Sequence, residues 1–309
     1  MGPQNLSSRA IIGSFYHALE QNAGAAWIDP ISMRFQSNQE SETYAWLGMS
    51  PMMREWIGGR QAKGFRANGV TIVNKKFEAT LEIPVDWIRR DKTGQIMVRI
   101  NDLARRANAH WASLLSTLII NGEATTCYDG QYFFDTDHSE GDSGSQSNDI
   151  SYDAASTTVP TASEMQAAIL NSIQQIYTFK DDQGQPLNED ASQFLVMVPV
   201  PFLQAAGQAL GAQVISSTSN LITATGSLGG FGVNLAVNPR LNWTTKFATF
   251  RTDGDVSPFI RQEEEEINMT MIAEGSELEF TDDVHWFGIK AMRNVGYGYW
   301  QKACLTTLT

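Results

Sequence analysis

The sequence predicts an α+β fold, and three observations carry that prediction. Phe77 to Trp87 alternates strictly between apolar and other positions, a period of two that belongs to a strand. Ile100 to Leu118 carries an apolar stripe at spacings of three and four, which belongs to a helix. Helical and strand patterns then alternate from about residue 160 to 240, before a strand-rich C-terminal third. With 309 residues, 42% hydrophobic and 18% charged, the chain has the apolar mass for a core and the length of two domains or one elaborated one.

The elements follow in order. Leu6 to Glu20 predicts a short helix with Ile11, Phe15 and Leu19 on one face, ended by Asn22–Gly24; the first forty residues resemble an arm more than a domain. Ser32–Phe35 and Thr43–Leu47 are strand-like. From Gly58 to Gly94 the pattern predicts a long hairpin, with Val70–Val73 as the partner of the alternating run. That run spans about 36 Å if unbroken. Pro84 lacks a backbone N–H, so the run is expected at a sheet edge or in an isolated ribbon. A two-stranded ribbon with one modest apolar face is marginal alone and needs a surface to lie on. The long helix that follows ends at Asn121–Gly122. Cys127 to Asp153 is predicted as a polar, solvated loop. Ser163 is the expected N-cap of a helix through Met165, Ile169, Ile173 and Ile176. Phe194–Val200 predicts a buried strand, Pro201 a helix start, and Gly232–Val237 another strand. Strands are expected again at Phe247–Phe250, Ile267–Ile272 and Trp286–Met292.

Charge is unevenly distributed. Lys+Arg 22 against Asp+Glu 34 gives a net charge of -12, which argues against a protein whose main task is gripping nucleic acid. Between Arg54 and Arg106, however, twelve cations face six anions, so that segment is +6 and the remainder -18. A chain divided this way attracts copies of itself; the alternative is a mosaic surface without a partner. From Ala191 to Pro239 there is no charged residue or histidine at all. Interface cores are depleted of charge, so this stretch suits a surface packed against other subunits, or a subdomain wrapped by charged neighbours. The opening residues lack the charged and apolar regions of a secretory signal, and no apolar run reaches the ~18 residues of a membrane span. A cytosolic, acidic, non-membrane protein is expected.

Catalytic motifs are sought without success. There is no phosphate-loop pattern, no His-Glu-x-x-His and no Cys-x-x-Cys. Gly226–Gly232 is glycine-rich but follows no strand into a helix, and His17, His110, His138 and His285 are scattered, with His110 expected as a packed or surface residue of the long helix. Asp129, Asp135, Asp137, His138, Glu140 and Asp142 form the sharpest chemical candidate. Glu140 stands where a calcium loop needs glycine, and a solvated acidic loop is the expected outcome. Cys127 with His138 lacks any activating neighbour for a thiol nucleophile. Glu263–Glu266 is expected as a solvated or partner-facing strand end. No catalytic, cofactor-binding or metal residue is assigned, and an enzyme is not predicted.

Thr43-Tyr-Ala-Trp-Leu-Gly48, Met53-Arg-Glu-Trp-Ile-Gly58, Asn74-Lys-Lys-Phe-Glu78, Cys127 to Asp135 and Gly296-Tyr-Gly-Tyr-Trp300 together resemble the major head subunit of Mu-like phages and prophages. The 139–158 loop and the middle third depart from the family pattern. The resemblance implies the tailed-phage capsid fold of phage Hong Kong 97. Its parts would be an N-terminal arm and lead-in at 1–50, an extended loop formed by the long hairpin at 51–95, a spine helix and first part of a peripheral domain at 96–159, an axial α/β domain at 160–245, and strands returning to the peripheral domain at 246–309. It implies a structural protein of the virion, assembled in the bacterial cytoplasm into pentamers and hexamers of an icosahedral shell. Implied partners are copies of itself, portal and scaffolding or protease proteins, double-stranded DNA held without sequence specificity, and a decoration protein. Inter-subunit contacts are expected at Arg54, Trp56, Arg60, Lys63, Arg66, Lys75, Lys76, Phe77, Leu81, Arg89 and Arg90. Some members of the wider fold cross-link lysine to asparagine, for which Lys63, Lys75 and Lys76 are the nearby lysines. The alternatives are a cellular cargo shell of the same fold and a soluble α/β enzyme.

Overall fold

The structure is a computed structural model and describes residues 8–22, 24–47, 67–90, 94–212, 214–215, 218–220, 222 and 230–309. The chain opens with helix α1 (Ser8–Gln21), the short α2 (Ile28–Ile31), and strands β1 (Ser32–Gln36), β2 (Ser41–Leu47), β3 (Ala67–Val73) and β4 (Lys75–Pro84). Helices α3 (Val85–Arg90) and α4 (Gln95–Ile120) follow, then β5 (Asp149–Tyr152), α5 (Ala162–Thr178), β6 (Gln193–Val198), α6 (Leu203–Gly211), β7 (Val214–Ile215) and β8 (Thr218–Ser219). The remainder is β9 (Gly232–Val237), β10 (Lys246–Arg251), β11 (Phe259–Ile272), α7 (Glu277–Asp282), β12 (Val284–Tyr297) and β13 (Ala303–Leu308).

Two sheets organise the molecule. A four-stranded sheet has the order β1-β11-β12-β4, and a five-stranded mixed sheet the order β5-β13-β10-β6-β9. Each sheet has its own apolar core. The larger core gathers Phe194, Val196 and Val198 of β6, Ile169 and Ile173 of α5, Phe247 and Phe250 of β10, and Trp300. The smaller one gathers Ile11 and Phe15 of α1, Ile83 and Ile88 beside them, and Met269 and Phe287 of the long strands. Helix α4 belongs to both: Ile96, Ile100 and Ala104 enter the smaller core, while Ala112, Leu115 and Ile119 enter the larger. At 26 residues it is about 39 Å long and ties the two together. Its buried stripe is centred on Ile100, Ala104, Leu115 and Ile119, while Leu103, Trp111 and Leu118 are only half-buried, because α1 and β12 cover flanks that the simplest stripe leaves to solvent. Gly122, just past its end, lets the chain pass Phe134: a Cβ there would lie 2.5 Å from the ring.

Several expectations are corrected. The hairpin between Val70–Val73 and the alternating run does not form. Strand β4 pairs antiparallel with β12, from Lys75 opposite Arg293 to Pro84 opposite Val284, and β3 pairs with β2. An alternating strand requires a neighbour without specifying which, and β12 offers the longer apolar match. Pro84 does end an edge strand, but Trp87 lies on α3, outside the strand. The first helix is no free arm: Ile11 and Phe15 are fully buried against α4 and the sheet, each worth about 1.5–3 kcal/mol of burial. The N-cap of α5 is Thr161 rather than Ser163, in a reciprocal capping box with Glu164. An unexpected strand, β13, places Cys304, Leu305 and Leu308 in the larger core. The five-stranded sheet therefore draws on both sides of residue 245, since β6 pairs with β10 and β10 with β13.

Candidate assembly surfaces

The β2–β3 ribbon stands on a rigid root and projects beyond it. Gln262 of β11, fully buried, donates from Nε2 to the Ile72 carbonyl at 3.1 Å and to Asn74 Oδ1 at 2.9 Å, and its Oε1 accepts from the Tyr44 hydroxyl at 2.9 Å. Asn74 donates to the Gln39 carbonyl at 2.9 Å, and Asn294 of β12 donates to the Val73 carbonyl at 2.7 Å. Ile72 packs so closely on Gly296 that a Cβ at that glycine would lie 2.4 Å from Ile72 Cδ1. Above this root Thr43, Thr71 and Val73 are exposed. Arg54, Trp56, Arg60, Lys63 and Arg66, expected as contact residues, lie outside the described residues.

The other expected contact residues divide by face. Lys75 and Lys76 at the start of β4 and Arg89 and Arg90 of α3 are exposed; Arg90 meets Asp86 at 3.1 Å, an exposed pair within one helical turn. Phe77 and Leu81 turn inward. Phe77 lies edge-on to His110 of α4 at 4.4 Å, and Leu81 packs on the smaller core. Their alternation with exposed Glu78 and Glu82 follows from the pleat, but the side they cover is the chain's own helix.

An unanticipated surface closes the far end of the four-stranded sheet. Between β11 and β12, α7 starts at Ser276, whose side chain accepts from the Glu279 N–H, and ends at Asp283 in the left-handed region. Phe280 is 90% exposed there, amid Glu274, Glu277, Asp282 and Asp283. Trp87, Ile272 and Trp286 are exposed nearby on paired strands and α3, with Trp286 Nε1 donating to Glu82 at 2.9 Å. The Ser-x-x-Glu pattern at Ser276–Glu279 was the sequence signal for this helix. The basic flank of α3 and α4 and this acidic tip thus occupy one chain.

The charge-free stretch is part core and part surface. Phe194–Val198 is buried mid-sheet, whereas Val200, Pro201, Leu203, Gln204, Gly207 and Gln208 form a neutral exposed face on and before α6. Glu263–Glu266 is no strand end: it lies mid-β11, where Glu263 is buried and pairs with Arg34, and Glu265 pairs with Lys290 at 2.5 Å. The 127–153 segment is not a solvated loop either. His138 is fully buried and stacks on Trp300 at 4.0 Å. The Cys127 thiol donates to Asp129 rather than to His138, and burial followed by the Asp129 charge pushes its pKa up, opposite to the need of a nucleophile. His110 is packed, as anticipated.

This architecture is that of a tailed-phage capsid subunit. The chain superposes over its full length on 77% of a chain in the procapsid of bacteriophage JBD30, with TM-score 0.54 and 23% identity. It covers 89% of a chain in the capsid of cyanophage P-SCSP1u over 93% of its own length, with TM-score 0.58 and 12% identity. It also covers 98% of a chain in a virus-like particle from Pyrococcus furiosus over 97% of its own length, with TM-score 0.54 and 8% identity. The model of the family described as Mu-like prophage major head subunit gpT matches residues 7–162 and 240–308, and the chain belongs to that family. The match runs through the 139–158 loop and omits 163–239. Among curated relatives, the Mu-like prophage FluMu major head subunit of Haemophilus influenzae is 42% identical over 106 residues, and the major capsid protein of Escherichia phage Mu 37% over 108. These alignments span 34% and 35% of each relative's length and the same shares of this chain.

Proposed function

We propose that this chain is the major capsid protein of a Mu-like phage head, a non-catalytic subunit that closes with its copies into an icosahedral shell around double-stranded DNA. The observation that carries the proposal is the β2–β3 ribbon: firmly rooted on Gln262 and Asn74, and exposed above that root. It is the ribbon, at 41–73, that serves as the extended loop on a neighbouring subunit, with α4 as spine helix and the neutral face of α6 turned toward the symmetry axes. The net charge of -12 keeps the shell from adhering to packaged DNA. Portal, scaffolding or protease and decoration proteins are the further partners this role calls for.

Individual contacts between exposed charges are worth about 0–1 kcal/mol, but a closed ring repeats each of them. Reversing Arg60 and Lys63 to Glu in the sequence between β2 and β3, and in a second variant Arg89 and Arg90 to Glu on α3, should leave soluble folded subunits that form no shells in electron micrographs. Normal shells from both variants would refute the charged-contact mechanism. The content of purified shells separates the remaining alternative, since a cargo shell of this fold would hold protein in place of DNA.

A further inference from the structure

The segment from Cys127 to Glu140 gathers donors that the assembly role does not use. Cys127 Sγ, an Asp129 carboxylate oxygen and a His138 ring nitrogen all lie within 4.8 Å of one another. The Asp129 and His138 side chains are 3% and 0% exposed.

Hydrogen bonding around His138 dictates its tautomer. The Asn148 amide is oriented by its Nδ2, which donates to the Phe133 carbonyl at 2.8 Å and the Trp300 carbonyl at 3.4 Å, and by its Oδ1, which accepts from the Asp135 N–H at 2.9 Å. The His138 Nε2, 3.2 Å from that same Oδ1, must therefore carry a hydrogen. In a neutral ring Nδ1 is then a bare lone pair, and it faces Asp129 Oδ2 at 2.6 Å. A contact of 2.6 Å is made by a proton shared between the two groups, whereas donors bound to one ion at about 2.0–2.1 Å each stand about 3 Å apart, so an ion entering here displaces that proton and parts them. A ring N–H held by a carbonyl oxygen is also the arrangement that orients metal-ligating histidines. A second, separate observation points the same way: Glu140 Oε1, two residues beyond His138, is buried without a hydrogen-bond partner.

We propose that Cys127, Asp129 and His138 bind one divalent transition-metal ion, and that the Glu140 carboxylate, which lies outside this group of three, moves onto it as the fourth donor. A sulfur, nitrogen and carboxylate donor set selects Zn2+ over Mg2+ or Ca2+. Binding forms the metal–sulfur and metal–nitrogen bonds and releases to solvent both the thiol proton and the proton shared by His138 and Asp129. The ion ties the two ends of the segment together and so steadies its contacts with the C-terminal region, where Tyr128 and Gln301 exchange hydrogen bonds at 2.8 and 3.1 Å and Trp300 stacks on His138.

The test uses the full chain, reduced and freed of metal by a chelator, and titrated with Zn2+ and with Co2+. One equivalent should bind, Zn2+ should raise the melting temperature, and Co2+ should show a thiolate-to-metal charge-transfer band. C127S should abolish that band, and C127S and D129N should each weaken binding about tenfold or more. Folded wild-type protein that gives neither band nor melting shift overturns the proposal and assigns the contact to an imidazolium–carboxylate pair. Co2+ binding that C127S leaves unchanged overturns it in favour of surface carboxylates. The wild-type titration decides even if a variant fails to fold.

Discussion

His110 and Arg293 show how single side chains join α4 to the long strands. Arg293 donates from Nε to His110 Nδ1 at 3.1 Å and from Nη2 to the Ala107 carbonyl at 3.1 Å, with its guanidinium 4.7 Å from the centre of the Trp111 ring. Burial, then the charges of Arg293 and Arg240, push the His110 pKa down from 6.5 to about 4. Between those values the unfolded chain binds a proton that the folded one refuses, so this residue's contribution makes stability fall as pH drops from about 6.5 to about 4. A midpoint near 4 in the NMR titration of His110 is the expected result, and a midpoint near 6.5 would show the contact with Arg293 to be open in solution. Arg251 is a second such residue. Only 2% exposed, it donates to Asp253 at 2.6 Å, Asp190 at 2.8 Å and Asn188 at 3.0 Å. Arg251→Met removes one donor from each acceptor, while Lys302 still reaches Asn188 and Ser192 still reaches Asp253, and should lower unfolding stability by about 1–3 kcal/mol in urea denaturation.

Among the elements, the ribbon root is where structure and assembly meet. Gln262 satisfies three groups on β2, β3 and the turn after them. Gln262→Leu keeps much of the volume but leaves the Tyr44 hydroxyl, the Ile72 carbonyl and Asn74 short of partners, at about 1–3 kcal/mol for each buried group left unmade. Hydrogen exchange should then quicken at 41–47 and 67–73 while β6 and β10 keep their protection. Equal acceleration in both sheets would mean that the root is not an independent clamp. The edge strand β4 is legible in its alternation and in Pro84, but its partner was not. Period two specifies which side chains share a face and leaves open which strand, more than two hundred positions away in β12, supplies the ladder.

In the whole molecule, one rigid helix carries two cores, and surfaces of opposite charge lie on the same subunit. If repeated exposed charge contacts close the shell, salt must weaken them, since the screening length is about 10 Å at 0.1 M. Light scattering should find the onset of shell formation at higher protein concentration as sodium chloride is raised. An onset indifferent to salt would transfer the main role to apolar contacts such as those around Phe280 and Val200.

The sequence by itself determined what local chemistry controls: the long helix from its three-and-four spacing, the buried β6 from its continuous apolar run, the edge position of β4 from Pro84, and the family from its aromatic-glycine blocks. It also located the charge asymmetry and the neutral stretch. Only the tertiary structure decided which strands pair, that Phe77 and Leu81 face their own helix, and that the acidic 127–142 segment is folded around a buried histidine. Its partners Asn148 and Trp300 are 10 and 162 residues away in sequence. Periodicity and capping are properties of neighbours along the chain, whereas pairing and burial depend on contacts among residues that the chain brings together only when both cores have formed.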